Sequence, residues 1–224
     1  MMNMYYQQPY RTHTDKKSAR TITVTGDETI EVQPDMAVAQ IGIVTTDKEL
    51  SEAQHKNNEI SHSILKSFAR NGIEEKDIQT STYQIYPQYD FIDGKQVFKG
   101  YEVRQVFSVK IKEINKIGEV IDDAVQSGAN IIERVQFTIA EPQTFYMQAL
   151  SKAYEDAFKK AQVLAKSSGM TLNPMPLEIN EDRSIPLVPG PSKAFVLAAE
   201  STSPVQPGEV GITARVTVKY KLMK

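Results

Sequence analysis

QTFYMQALSKAYEDAFKKAQVLAKSS, residues 143–168, decides the fold. Apolar residues recur at Tyr146, Leu150, Ala153, Ala157, Ala161 and Leu164, the spacing of one helix face. Ala149, Phe158 and Ala165 widen that stripe. Several of its contacts are alanine, so the helix can lie close against a flat surface. A β-sheet is the natural partner, and the chain on either side supplies strands for one.

Toward the C-terminus, the helix stops near Gly169, and Met175 to Ile179 reads as a strand. Residues 183–209 carry Pro186, Pro189, Pro191, Pro204 and Pro207 with serines between, which predicts a long loop. In its middle sits an apolar run, and Phe195, Val196 and Leu197 are the candidate interface of the molecule. The same run can instead fold back and plug its own domain. Gly211 to Leu222 then alternates strictly between apolar and polar residues, a strand docked into a sheet.

Toward the N-terminus, Pro142 suits the first helical turn, where its missing N–H costs nothing. Before it come a strand, Ile131 to Ala140, and a short helix, Asn115 to Gln126, with Ile117, Val120, Ile121, Ala124 and Val125 inward. Asp77 to Tyr89 and Gly100 to Lys112 are the arms of a long hairpin around the tight-turn pair Asp93-Gly94. A further helix ends at Asn71-Gly72 and starts at Thr46-Asp47-Lys48-Glu49, which has capping-box spacing. Its expected stripe is Leu50, Ala53, Ile60, Ile64 and Phe68. Asp35 to Thr45 is apolar on both faces, so it is a central strand or one covered by another subunit. Arg20 to Gly26 is a half-buried strand, with Gly26-Asp27 read as a turn before a short extended piece. Residues 1–19 are polar and tyrosine-bearing and are expected to form a disordered arm. The prediction is an α+β domain over residues 20–224, a mostly antiparallel sheet with helices packed on one face and a long hairpin.

Chemistry is scarce. Hydrophobic residues are 40%, charged residues 24% and the formal net charge is −2, ordinary for a globular protein and unsuited to nucleic-acid binding by bulk charge. No cysteine is present, which excludes thiolate nucleophiles, disulfides and cysteine metal sites. His55 and His62 are two helical turns apart, about 10.5 Å of rise, so they read as solvated side chains and not as two ligands of one metal. The adjacent pairs Glu74-Glu75 and Asp122-Asp123 do not point at one spot and read as surface charge. No nucleophile-elbow, zinc-helix, P-loop or dinucleotide motif occurs. No catalytic residue, metal site or cofactor is therefore assigned.

Three stretches carry a resemblance. They are Gly100-Tyr101 with the strand, helix, Gly128-Ala129 and strand that follow; the alanine-spaced helix through Lys160-Ala161-Gln162-Val163-Leu164-Ala165; and Pro207-Gly208-Glu209 leading into the closing strand. With the opening Ile22-Thr23-Val24-Thr25-Gly26 they resemble the SIMPL-domain family over nearly the whole chain. That family includes bacterial oxidative-stress-defence proteins and periplasmic immunogenic proteins. The resemblance implies an α+β subunit able to form rings or channel-like oligomers, with no known enzymatic activity and no site residue to carry over.

Two functions follow as expectations. One is a non-enzymatic homo-oligomeric assembly protein linked to stress tolerance, with itself as partner. The other is an enzyme or small-molecule binder with a pocket under the proline-rich loop, lined by Tyr83, Tyr86 and Tyr89. No apolar stretch follows a basic start and no run approaches membrane-spanning length, so the expected location is the cytoplasm.

Overall fold

The structure is a computed structural model and describes residues 20–182, 187–189 and 207–224. The expected N-terminal arm and the run Phe195, Val196 and Leu197 lie outside the described residues. In chain order the elements are β1 (Thr21–Val32), β2 (Met36–Asp47), α1 (Leu50–Arg70), β3 (Ile78–Ile92), β4 (Lys95–Ile111), α2 (Ile117–Gln126), β5 (Ile131–Thr138), α3 (Pro142–Ser167), β6 (Thr171–Asp182), β7 (Leu187–Pro189) and β8 (Val210–Met223). This is the expected α+β composition, and its strands divide into two antiparallel sheets. Two compact units hold them, with β1, α3 and β8 each contributing to both.

The first unit comprises residues 20–28, 150–182 and 215–224 of the described chain. Here β8 lies between β1 and β6. Thr25 faces Thr217 with their hydroxyls 3.1 Å apart on the exposed side. Strict alternation puts Val216, Val218 and Tyr220 on the buried side. On that side lies α3, whose Ala153, Ala157, Ala161 and Ala165 are all buried. Leu164, expected on the stripe, is 50% exposed, because the buried row runs in steps of four and ends on Ala165. The close approach has a measurable cause at Gly26. A Cβ there would sit 2.1 Å from the Ala153 carbonyl oxygen and 2.4 Å from the Ala157 nitrogen. Gly26 is therefore not the expected turn: β1 runs straight through it, and glycine is required because helix backbone rests on strand backbone.

The second unit holds the sheet β3-β4-β2-β5 with α1 and α2. Strand β2 is central, pairing β4 from Ala37 opposite Ile111 to Asp47 opposite Tyr101, and β5 on its other side. Its Ala37, Ala39, Ile41 and Ile43 join Ile64 and Phe68 of α1 and Ile117 and Val120 of α2 in one core. Phe68 meets Phe107 edge-on, ring centroids 6.5 Å apart. Val125 of α2, expected inward, is exposed. The capping box at Thr46 is not formed, because β2 keeps Thr46 in its ladder opposite Glu102. Instead the Glu49 N–H donates to Asp47 Oδ1 at 3.2 Å.

Candidate functional site

Strand β2 leaves the sheet at Asp47, opposite Tyr101, while β3 and β4 continue past it as a two-stranded ribbon. The ribbon closes at Asp93-Gly94, both with positive φ (52° and 75°), the tight turn whose twist matches paired strands. A bulge interrupts the pairing: Gln88 faces Gly100 but Tyr89 faces Phe98, leaving Lys99 over. Gly100 allows it, with φ 153° and an added Cβ only 2.5 Å from the Asp47 carbonyl oxygen.

That bulge gathers aromatic rings on the ribbon. Phe98 stacks edge-on with Tyr101 at 5.2 Å and with Tyr89 at 5.7 Å between centroids. Beyond them Phe91 is 77% exposed and Ile92 56% exposed, and Val97 is exposed beside them. Tyr89, Phe98 and Phe91 thus share one face of the projecting ribbon, and Val97 and Ile92 the other, so both faces of its tip are apolar, the kind of surface that marks an interaction site. Its charges are Asp90 and Lys99, paired at 3.3 Å, and Asp93 and Lys95, which have no ion partner among the described residues.

A cleft of about 400 Å³ lies elsewhere in the same unit, lined by residues 33–34, 112–115 and 207–209. Pro34, Ile114 and Pro207 make it largely apolar. Three charged side chains line it as well. Lys112 is engaged by Asp77 at 2.6 Å and Glu74 at 3.4 Å, and these contacts hold its pKa above the ordinary lysine value. Glu113 is engaged by Lys116 at 2.9 Å. Glu209 has no ion partner among the described residues, and its Oε2 is shut from solvent without a hydrogen-bond donor.

The other polar groups do not converge. His55 sits on the exposed face of α1 beside Glu59 at 3.3 Å, and His62 is exposed two turns on. No cluster of three metal-ligating side chains occurs among the described residues. Asp47 contacts Lys56 at 2.6 Å, which lowers the carboxyl pKa and raises that of the amine, a surface ion pair. Tyr83, Tyr86 and Tyr89 do not line one pocket. Tyr83 accepts a hydrogen bond from Gln54 of α1, and Tyr86, an odd number of positions on, faces the other way. Among the described residues no helix is long and apolar enough to cross a membrane.

A family model described as "SIMPL: Protein of unknown function (DUF541)" matches residues 22–220. The 26 kDa periplasmic immunogenic protein of Brucella melitensis biotype 1 is 28% identical over 211 residues, covering 90% of this chain and 84% of the relative. The uncharacterized protein YggE of Escherichia coli K12 is 27% identical over 154 residues, covering 69% of this chain and 63% of that protein. The first of these names overturns the cytoplasmic expectation. That expectation was drawn from an absence at the start of the sequence, and an absence carries no address.

Proposed function

The chain belongs to the SIMPL family, and from that premise we propose that it is a non-enzymatic periplasmic subunit that assembles with copies of itself. The observation that carries the reading is the apolar hairpin tip, with Phe91 77% exposed at the end of a ribbon that no third strand among the described residues supports. A soluble subunit presenting such a tip gains free energy by covering it. The name of the Brucella relative supports the compartment. Phe195, Val196 and Leu197 supply a second apolar contact in the same assembly. A role in stress tolerance rests on the resemblance to oxidative-stress-defence proteins, and peroxide survival of a deletion strain tests it.

Light scattering tests assembly directly. The expected result is a mass several times that of one subunit, falling toward one subunit in the Phe91→Ser, Phe98→Ser variant with its thermal midpoint retained. A parent chain that stays a monomer at tens of micromolar overturns the reading. For the second contact, Phe195→Ser with Leu197→Ser is expected to lower the mass without lowering the urea midpoint.

A further inference from the structure

We propose that the hairpin tip of one subunit seats in the cleft between residues 33–34, 112–115 and 207–209 of a second copy. The inference rests on the self-assembly reading above and adds to it the receiving surface and the sense of the contact.

Shape and polarity come first. The tip ends in Phe91 and Ile92, apolar side chains more than half exposed on opposite faces of a ribbon two strands wide, so that seating its end brings both into the cleft. The cleft has a volume of about 400 Å³ and an apolar lining of Pro34, Ile114 and Pro207. That is within the usual range for a site that encloses a few side chains.

Charge decides the occupant. Lys95 faces Ile92 across the ribbon and has no ion partner among the described residues. Glu209 is the lining carboxylate without an ion partner among those residues, since Glu113 is held by Lys116. Glu209 is half-buried in the cleft lining, so an ammonium seated there meets a carboxylate that no described residue neutralises. The one lining lysine, Lys112, is already neutralised by Asp77 and Glu74 and does not repel the newcomer. An anionic lipid surface is the poorer occupant for the tip, because Asp90 and Asp93 balance Lys95 and Lys99 and leave no net positive charge. Tip and cleft are different patches, so the contact is heterologous: repeated, it closes a ring or continues as a filament.

The absence of cysteine in the chain makes the test clean. Phe91→Cys subunits are mixed with Ile114→Cys subunits under mild oxidation, and the disulfide products are identified by mass spectrometry. The expected product is the mixed Phe91→Cys to Ile114→Cys dimer, in excess of either homodimer. Separately, Lys95→Glu is expected to weaken assembly by about tenfold or more, and adding Glu209→Lys to restore it. Homodimers of Phe91→Cys alone, with the parent mass kept, would mean that tip meets tip and would overturn this inference while leaving assembly standing. A monomeric parent would defeat the assembly reading itself. An intrachain product in an Ile114→Cys, Phe195→Cys chain, with no mixed dimer, would show that the chain's own segment fills the cleft. Binding of the tip to anionic vesicles, lost in Phe91→Ser while mixed dimers are absent, would assign it to lipid and overturn the inference equally.

Discussion

Gly26 shows how much one missing methyl carries. Backbone atoms of α3 stand 2.1 and 2.4 Å from where its Cβ would lie, so neither partner can yield by turning a side chain. Gly26→Ala is expected to cost about 3 kcal/mol or more in a urea melt, at the top of the range for overpacking. A loss below about 1 kcal/mol would mean that the helix slides off the strand at little cost. Tyr220 is the opposite case, an atom too many. Its ring is buried and packs near Phe158 at 5.9 Å, yet its hydroxyl has no hydrogen-bond partner among the described residues. The Tyr154 phenol is near enough to influence its ionisation without meeting hydrogen-bond geometry; burial is the main cause that holds the Tyr220 pKa above the ordinary 10.0, and Tyr154 the second. Tyr220→Phe is expected to leave stability at pH 7 unchanged or raise it by about 1 kcal/mol. The sign with pH follows from the raised value. The folded protein keeps a proton that the unfolded chain loses above 10.0, so stability falls as pH climbs past that point, and the phenylalanine variant loses less. Lys56, Lys112 and Lys160, also raised by carboxylate contacts, contribute to the same alkaline loss, but they are common to both proteins and cancel in the comparison. Equal alkaline slopes for the two proteins would refute the assignment.

Helices and strands were legible where side chains report their own burial. The alanine spacing of α3 predicted both the helix and its flat partner, and Asp93-Gly94 marked the turn of the hairpin. Ala157→Leu tests the first of these: the side chain is fully buried, and the larger one is expected to cost about 1–3 kcal/mol. An unchanged denaturation midpoint would put Ala157 on the surface. What stayed hidden was burial by polar residues and glycine used for proximity. Asn57 and Ser61 continue the i, i+4 row from Ala53 and are buried on α1, but their polarity disguised them. Asn57 Nδ2 donates to the Val103 carbonyl at 3.2 Å and Ser61 Oγ to Gln105 Oε1 at 2.9 Å, contacts that only a neighbouring strand reveals. Asn57→Ala is therefore expected to cost about 1–3 kcal/mol, more than its polarity on a helix would suggest; a midpoint unchanged in urea would place the side chain in solvent. The candidate site divides the same way. The tyrosines at 83, 86 and 89 were visible as a cluster in sequence, but alternation across the ribbon sends them to different faces. The apolar tip arises from Phe91, Ile92 and Phe98, which are marked only by where β2 stops.

The first unit depends on segments drawn from both ends of the described chain, with β8 between β1 and β6. Deleting residues 215–224 is expected to remove protection from the α3 and β6 amides in hydrogen exchange while β2 and β4 stay protected. Retained protection along residues 150–167 would mean that β8 is dispensable there. The pairing of Thr25 with Thr217 spans 192 positions, whereas β3 meets β4 across one tight turn. The two sheets therefore run on different clocks. The ribbon can zip as soon as it clears the ribosome, because closing so short a loop costs little entropy. Strand β1, among the first described segments to be made, must wait through the synthesis of every later element before its proper neighbour exists. During that wait it is an unpaired alternating strand, able to pair with another nascent chain. The order of manufacture thus sets a demand on the cell: a chaperone that holds β1, or a channel too narrow for strands to pair, until β8 arrives.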